Sequence, residues 1–254
     1  MITIRDIRKS FEERPILRGV SIDVRDRETL VVLGRSGGGK SVMLKMIVGL
    51  LRPDSGSISV DGTDVLSMSY PRLRELRFKF GFLFQGAALF DSLTVGDNVA
   101  LALRRGRATD QLELSEAEIA ERVRYALEIV GLKNTESAMP SNLSGGMKKR
   151  VGLARAIVPN PRYMLYDEPT TGLDMETADE INILINDLRT KLGVTSIVVT
   201  HDIHSAFVVG DRFAILDAGR TLMTGTRAEI ENSTNEDVRK YISSSLSTSR
   251  TRLT

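Results

Sequence analysis

The segment GRSGGGKS, residues 34–41, constrains the fold of this chain more than any other stretch of its sequence. It fits the phosphate-loop pattern GxxxxGK[ST], and it lies between the apolar run TLVVLG and the helix-forming run KSVMLKMIVGLL. Strand, glycine loop and helix in this order open a βαβ unit. The glycines would let backbone amides wrap phosphates, Lys40 would reach the β- and γ-phosphates, and the Ser41 hydroxyl would bind magnesium. A glycine-rich turn with a chance Lys-Ser pair is the alternative, and the flanking strand and helix patterns disfavour it.

Composition sets broad limits on what the chain can do. The 254 residues are 41% hydrophobic and 27% charged, which is typical of an ordinary globular protein. The net charge of +2 gives no reason to expect a nucleic-acid partner. The absence of cysteine excludes disulfides, thiol catalysis and thiolate metal sites. The charged, alternating start is unlike a signal peptide, and the apolar runs are shorter than the ~20 residues of a membrane span, so we expect a cytosolic chain whose membrane role comes through a partner.

The hydrophobic patterns predict an α/β fold. Alternating apolar residues in the first 30 positions and at 55–62 predict an antiparallel β subdomain at the N-terminus. The runs TLVVLG, RYMLYD and TSIVVT predict buried parallel strands of a phosphate-loop core. From about 86 to 160 the pattern is helical, which predicts an α-helical subdomain inserted into that core.

The domain organisation follows from these patterns. We expect one domain over 1–243, with the helical subdomain at about 86–160, and a flexible Ser/Thr-rich tail at 244–254. Inside the subdomain, Ser115 and Glu118 form the capping-box pattern that starts a helix. A helix at about 176–191, a late hairpin FAILDAGRTLMTG and a short terminal helix NEDVRKYI complete the prediction.

Two apolar strands end in polar side chains that suit catalysis. YMLYDEP presents Asp167, which suits the magnesium shell, and Glu168, a carboxylate that can orient and polarise water. Strands that end in acids are common, so this pattern gains weight only beside the phosphate loop. VVTHD presents His201 at the end of another strand, where ligands of open α/β folds bind. His204 has no such placement and is predicted to be structural.

Further candidates depend on context. Gln85 ends the apolar segment FLFQ and could touch both metal and water. Phe11 could stack on adenine, although an aromatic residue near a strand is more often part of the core. Met43 and Met46, on the helix after the phosphate loop, are predicted core filler.

The stretch NLSGGMKKRVGLARA, residues 142–156, predicts a second anion site. Ser144 is a good N-cap, and the amides of Gly145 and Gly146 would lie at a helix start, where anions bind. The basic residues at 148–150 could add attraction for the anion, or could form only a solvated face of the helix.

Taken in order along residues 2–230, these motifs resemble the ATP-binding-cassette (ABC) ATPases. The aromatic loop at Phe11, GRSGGGKS, the Q-loop at Gln85, LSGGM, YMLYDEP, TTGLD and a switch histidine at His201 come in that family's order. The resemblance implies ATP and Mg²⁺ as cofactors and ATP hydrolysis coupled to transport. It also implies a head-to-tail homodimer, in which LSGGM of one subunit closes on the γ-phosphate held by the other.

The resemblance also implies a set of site residues. Catalytic roles fall on Glu168, His201, Gln85 and Lys40, and magnesium contacts on Ser41, Gln85 and Asp167. The nucleotide contacts that it implies are Phe11, Gly34, Arg35, Ser36, Gly37, Gly38, Gly39, Lys40, Ser41, Val42, Ser144, Gly145, Gly146, Met147 and Asp174.

Two positions depart from the common family pattern. Met147 stands where glutamine is usual, and Val42 where threonine is frequent. LSGGM followed by basic residues and LARAI is similar to the Mce/Mla-type, MlaF-like ATPases of phospholipid transport, as are FQGAALFDSLTVGDNVAL and the tail with EDVRKYI. This resemblance implies a permease that contacts Gly86–Val99, with Phe90 and Leu93 foremost, and a Mce-domain lipid-binding subunit. It places the chain on the inner face of the cell membrane, held there by the permease.

Alternatives remain open at this point. A soluble non-transport ABC ATPase, such as an iron–sulfur assembly subunit, and an ABC transporter ATPase for another substrate both fit the motifs. A DNA-repair clamp is disfavoured because the sequence has no heptad run for long coiled coils. A phosphate-loop GTPase is disfavoured because the sequence has no guanine-reading NKxD.

Overall fold

The structure, a computed structural model, describes the backbone of residues 1–107 and 113–251 and the side chains of residues 1–104 and 113–243. The strands in this part of the chain are β1 (Ile2–Phe11), β2 (Arg14–Val24), β3 (Thr29–Gly34), β4 (Ser55–Val60), β5 (Thr63–Asp64), β6 (Phe80–Leu83), β7 (Tyr163–Asp167), β8 (Thr195–Thr200), β9 (Arg212–Asp217) and β10 (Arg220–Gly225). The α-helices are α1 (Lys40–Ile47), α2 (Tyr70–Phe78), α3 (Val95–Arg107), α4 (Glu116–Ile129), α5 (Gly145–Ile157), α6 (Met175–Leu192), α7 (Ile203–Val209), α8 (Arg227–Glu231) and α9 (Glu236–Thr251).

The chain divides into two compact units. The first comprises Met1–Leu73 and Thr195–Thr254, and the second comprises Arg74–Val194. The helical subdomain predicted at about 86–160 falls within the sequence of the second unit. The division into a domain at 1–243 and a tail stays a prediction.

The N-terminal strands of the first unit form the antiparallel sheet that the alternating pattern predicts. Strand order is β2-β1-β4-β5, and Ile2 of the central strand pairs with Val24 on one side and Val60 on the other. Ile2 and Ile4 are fully buried, because alternate side chains of a strand share one face, here the inner one. Ile7 is also fully buried, because the register of β1 shifts between Ile4 and Ile7 and returns this side chain to the buried face.

The phosphate-loop strand β3 is parallel to both β8 and β9, as its continuous apolar run predicts. All six residues of β3 are buried. Strands β9 and β10 form the predicted hairpin. Met43 and Met46 of α1 are fully buried, which confirms their place in the core. Helix α1 ends at Ile47, earlier than the apolar run suggested, because Gly49 adopts a positive φ of 62°.

The second unit contains the parallel pair β6 and β7, with Leu83 opposite Tyr166, and the helices α3, α4 and α5. The predicted capping box at Ser115 and Glu118 is present at the start of α4. The helical pattern begins later than predicted, because the segment 84–94 is a loop and α3 starts at Val95.

Two predictions near the C-terminus differ in outcome. Helix α6 matches the predicted 176–191 within one residue at each end. The terminal helix is not short: α9 extends through Thr251, because the Ser/Thr-rich sequence has no Gly or Pro to end it. The backbone of 244–251 is therefore helical, the flexibility of the tail stays a prediction, and residues 252–254 lie outside the described residues.

In the described ranges, every helix is too short or too polar to cross a lipid bilayer.

Candidate active site

The phosphate loop joins β3 to α1 in the first unit through a left-handed turn. Gly39 is the N-cap of α1 with φ of 91°, and a Cβ there would lie 2.5 Å from a side-chain carbon of Leu17. Because this N-cap has no side chain, no side-chain cap covers the helix start, which is the end that attracts anions. Lys40 is buried, and its Nζ donates to the carbonyl oxygens of Gly34 at 2.7 Å and Arg35 at 3.1 Å. A glycine cradle with a buried lysine fits the phosphates of a nucleotide.

The first unit brings His201 to the edge of the sheet at which the phosphate loop begins. Leu33 of β3 pairs with Thr200 of β8, so Gly34 and His201 are the next residues of neighbouring parallel strands. His201 is half-buried. His204 is exposed, and its backbone amide donates to Asp202, the N-cap of α7, at 2.9 Å.

Phe11 ends β1 and is 44% exposed, so the alternative that it belongs to the core is wrong. The ammonium of Lys9 lies 5.5 Å from the centre of its ring. An exposed ring with a neighbouring cation is a suitable surface for a base, and its adenine contact stays a prediction.

The second unit brings Gln85, Asp167 and Glu168 to one edge of its parallel strand pair. Leu83 of β6 pairs with Tyr166 of β7, and the polar residues follow within two positions of this pair on each strand. Asp167 and Glu168 are both buried, at 5% and 6% exposure, unlike the exposed acids that commonly end strands.

Glu168 has an unusual backbone conformation. Its φ is 48°, in the left-handed region that residues with a Cβ seldom adopt. Its Oε2 accepts a hydrogen bond of 3.1 Å from the hydroxyl of Thr171. This bond holds the carboxylate in a defined orientation.

Lys149 is a site residue that the motif analysis missed. Its side chain is buried, and its Nζ donates to the backbone carbonyl oxygens of Gln85 and, at 3.1 Å, of Glu168. Burial lowers the pKa of the Lys149 ammonium, and the negative charges of Asp167 and Glu168 oppose that shift. Its helical spacing with Gly152 places Lys149 on the buried face of α5, but no pattern in the sequence identifies the two carbonyls that it bonds.

The basic run at 148–150 is not a solvated face. Besides the buried Lys149, Arg150 donates to the carbonyl oxygen of Val130 and to the carboxylate of Glu180, both at 2.8 Å. These two cations therefore hold the second unit together.

The LSGG motif starts α5 as predicted. Ser144 is the N-cap, and its hydroxyl accepts a bond of 3.2 Å from the amide of Met147. Ser144 and Gly145 are exposed, whereas Gly146 is buried, and a Cβ at Gly146 would lie 2.5 Å from a methyl carbon of Thr177. The motif therefore packs against the start of α6.

Asp174, the last residue of TTGLD, is the N-cap of α6. Its carboxylate accepts bonds of 2.9 Å from both the amide and the hydroxyl of Thr177. These bonds, that from the amide foremost, hold the pKa of Asp174 below its usual range. Thr177 thus contacts both the LSGG motif and the TTGLD motif within one unit.

The loop 84–94 borders an apolar cleft of about 380 Å³ in the second unit. Four phenylalanines line it, Phe80, Phe82, Phe84 and Phe90. The rings of Phe82 and Phe84 stack at 4.1 Å, and Phe90 is 47% exposed. Buried Asn98 bonds both the amide and the carbonyl of Phe90, at 2.8 and 3.0 Å. Arg155 donates to the carbonyl oxygens of residues 87 and 88. Neither Asn98 nor Arg155 belongs to a motif that sequence analysis could recognise.

Comparisons with known proteins place this site in a family. The sequence model described as ABC transporter matches residues 17–171. A "Probable ribonucleotide transport ATP-binding protein mkl" from Mycobacterium leprae is 40% identical over 241 residues, which cover 95% of this chain and 68% of that protein. A "Methionine import ATP-binding protein MetN" from Rhizobium etli is 39% identical, over 89% of this chain and 61% of that protein. The chain thus spans about two thirds of the length of these relatives.

A solved structure agrees with the fold. The dimeric ATP-binding cassette MJ0796 bound to ADP and Pi superposes with a TM-score of 0.80 at 32% identity, over 89% of this chain and 98% of that chain. This likeness confirms the predicted fold class, an α/β ABC ATPase fold with an antiparallel β subdomain and helical parts. The chain therefore belongs to the ABC transporter family, and it is an ATP-binding cassette ATPase whose cofactors are ATP and Mg²⁺.

Proposed function

We propose that this chain is the ATP-hydrolysing subunit of a membrane transporter and that two copies pair when ATP is bound. The observation that carries the proposal is the start of α5. There Ser144 caps a helix whose exposed first residue, Gly145, has no side chain, in a unit separate from the one that holds the phosphate loop. A helix start of this kind binds an anion, and the γ-phosphate held by a second copy is the anion that we assign to it.

Each remaining site residue has a role in this proposal. Lys40, with the backbone amides of its loop, binds the phosphates; Ser41, Gln85 and Asp167 hold Mg²⁺. Bound ATP and Mg²⁺ supply the transferable phosphoryl group and the charge that neutralises it. Glu168 orients and accepts a proton from the attacking water, and His201 contacts the γ-phosphate.

The other contacts of the nucleotide are assigned by the same proposal. Phe11 stacks on the base, and residues 34–42 line the phosphates. The second copy contributes residues 144–147, and Asp174 links the two sites of the dimer.

The substitution Glu168→Gln tests the catalytic assignment. We expect it to retain ATP binding, to trap the paired state and to lower the turnover number by at least about 100-fold, because the amide cannot act as a base. Phosphate release and light scattering after gel filtration with ATP measure the two effects. Glu121→Gln, at an exposed position of α4, is the matched control.

Two outcomes would contradict the proposal separately. A Glu168→Gln variant that hydrolyses ATP at the parent rate excludes Glu168 as the base. A strictly monomeric chain that hydrolyses ATP at full rate excludes the paired site.

We further propose that the permease docks at the cleft beside loop 84–94, through residues 86–99. The cleft is apolar, its rim residue Phe90 is exposed, and Leu93 lies half-buried on the same loop. A short cytoplasmic helix of the permease, with apolar side chains on one face, fits a surface of this kind. Docking there makes the chain a peripheral protein on the inner face of the cell membrane.

A charge at the rim of the cleft tests this contact. Phe90→Glu is expected to abolish co-purification with the permease and to leave the basal ATPase rate unchanged. Tyr125→Glu, which changes an aromatic residue of α4 that is 64% exposed, is expected to co-purify normally. Normal co-purification of Phe90→Glu would exclude the cleft as the docking surface.

For the substrate we propose a phospholipid or related lipid, with a Mce-domain subunit in the same complex. Support comes from LSGGM, the GAALF…NV stretch and the tail with EDVRKYI. The relatives named above are described as ribonucleotide and methionine transport proteins and do not support the MlaF-like assignment. Reconstitution of the chain with its co-purified permease distinguishes three candidate substrates: phospholipid, ribonucleotide and methionine. Stimulation of ATPase activity by phospholipid, and not by ribonucleotides or methionine, is the expected result.

A purification from detergent extracts separates a transporter subunit from a soluble assembly ATPase. A polytopic membrane partner supports the transporter. Recovery of soluble partners alone would support the second candidate, a non-transport ABC ATPase.

A further inference from the structure

Lys149 connects three segments of the second unit. It lies five residues after Ser144 on α5. Its buried ammonium donates to the carbonyl oxygen of Gln85, which follows β6, and to that of Glu168, which follows β7. One side chain therefore bonds the backbones of two residues that the catalytic proposal uses.

The two carbonyl groups occupy equivalent positions. Leu83 and Tyr166 pair in the parallel strands β6 and β7, and Gln85 and Glu168 each follow two residues later. Beyond the paired residues the strand hydrogen bonds no longer fix the backbone. The ammonium of Lys149 continues the connection at the point where the chains separate.

Two neighbours on the same helix hold the Q-loop close to α5. A Cβ at Gly152 would lie 2.8 Å from a side-chain carbon of Leu83, so the helix backbone approaches the end of β6 closely. Arg155 donates to the carbonyl oxygens of Ala87 at 2.6 Å and Ala88 at 2.7 Å. Helix α5 thus holds the segment from Leu83 to Ala88 along its length.

Packing alone does not require a lysine at this position. A buried ammonium loses its hydration, a cost that a methionine of similar length would not incur. Its compensation consists of the two carbonyl bonds and the nearby carboxylates of Asp167 and Glu168. The specific contribution of Lys149 is therefore the connection between the two loops.

We propose that Lys149 is a positioning residue for ATP hydrolysis, which holds the backbones of Gln85 and Glu168 in fixed register with each other and with α5. The inference rests on the roles proposed above for Gln85 and Glu168. It adds that the positions of Gln85, the proposed magnesium ligand, and of Glu168, the proposed base, both depend on the side chain of Lys149 on α5. Because that helix begins at Ser144, the same ammonium ties both residues to the helix proposed to contact the second nucleotide.

The test compares Lys149→Met with Lys149→Arg. Lys149→Met is expected to lower kcat by about 10- to 100-fold, since loss of positioning of this kind costs that much in rate. The KM for MgATP at saturating Mg²⁺ is expected to stay within about twofold, because Lys149 bonds the backbones of Gln85 and Glu168 and not the phosphate loop. The Mg²⁺ concentration for half-maximal rate is expected to rise, because Gln85 is no longer held. Lys149→Arg keeps donors for both carbonyls and is expected to restore most of the rate.

Controls separate positioning from folding. Lys133→Met removes a lysine whose side chain is 69% exposed in the same unit, and its kinetics are expected to match the parent. A stoichiometric ATP-binding titration gives the fraction of competent sites, by which kcat is normalised. If Lys149→Met does not fold, Lys149→Gln replaces it in the test, since its side chain keeps one amide donor group. It too is expected to lower kcat and to leave the KM for MgATP nearly unchanged.

Three results would overturn the inference. The first is a Lys149→Met enzyme whose kcat equals that of the parent. The second is a Lys149→Met enzyme whose ATP binding falls by the same factor as its rate. Failure of Lys149→Arg to exceed Lys149→Met would also do so. The proposed roles of Glu168 and of the dimer are judged independently by Glu168→Gln, which leaves Lys149 intact.

Discussion

Asn98 provides the sharpest test of how this fold presents its exposed loop. The side chain is fully buried and contacts four backbone polar groups of the loop. Its Oδ1 accepts from the amide of Phe90 at 2.8 Å, and its Nδ2 donates to the carbonyl oxygens of Phe90, Leu93 and Thr94 at 3.0 to 3.1 Å. The two hydrogens of Nδ2 are shared among these three carbonyls. Replacement by alanine removes all of these contacts and leaves a cavity in their place.

The expected cost follows from that bond count. Each such bond contributes about 1 kcal/mol net, so one accepted bond and the two hydrogens of Nδ2 contribute about 3 kcal/mol. Water that enters the opened loop recovers a part, and we expect Asn98→Ala to lower the free energy of unfolding by about 2–3 kcal/mol. Asn98→Asp keeps the shape and the acceptor for Phe90 but turns a second oxygen towards three carbonyls, so we expect it to cost at least as much.

Urea unfolding followed by circular dichroism measures the change, and limited proteolysis of the native protein reports opening of the loop near Phe90. Asn142→Ala, at an exposed asparagine of the same unit, is the control and should remain within about 0.5 kcal/mol of the parent. If Asn98→Ala and Asn98→Asp also remain within about 0.5 kcal/mol, the argument that this side chain holds the loop is refuted.

Three further predictions concern other parts of the structure. Gly39→Ala should lower both the affinity for ATP and the melting temperature, because Gly39 has a φ of 91° and a Cβ there would lie 2.5 Å from a carbon of Leu17. Gly62 has a φ of 78° but open space around it, so Gly62→Ala, the control, should lower the free energy of unfolding by only about 1 kcal/mol. Arg212→Met leaves the carboxylate of Glu28 buried without the 2.8 Å bond that it now accepts, so urea unfolding should show a loss of about 3 kcal/mol. The backbone amide of Ser115, the N-cap of α4, donates to Glu118 and holds the pKa of its carboxyl below 4.5. The stability that the ionised carboxylate contributes is therefore present above pH 4.5 and is lost as the pH falls through the lower pKa of the folded state. Urea unfolding midpoints measured against pH should lose this component of the acid dependence in Glu118→Gln.

Local patterns predicted most of the elements that carry the site. The continuous apolar run of β3 predicted a parallel strand, because a strand buried on both faces is apolar at every position. The alternation of β1 predicted an antiparallel strand, because a strand buried on one face is apolar at every second position. Caps were equally readable, since Ser115 and Ser144 bond amides only three residues away.

Contacts between distant residues could not be read in this way. The helical pattern from about 86 does not indicate a loop at 84–94. Asn98 and Arg155 bind carbonyl groups of this segment and so stabilise a loop in which Ala87 and Ala88 have positive φ. The burial of Lys149 likewise depends on carbonyls 64 and 19 residues away. No local spacing reports such partners.

Gly146 is subject to two separate demands. An amide at a helix start needs an open approach for phosphate, and a neighbouring helix needs room for the methyl group of Thr177, which a Cβ at this position would meet at 2.5 Å. Any larger residue would displace α6 before nucleotide binding is even considered. Loss of activity on substitution of Gly146 therefore reports a shifted helix pair as much as a missing anion contact, and exposed Gly145, where a Cβ would meet its nearest neighbour at 3.3 Å, is the position at which phosphate recognition can be probed by itself.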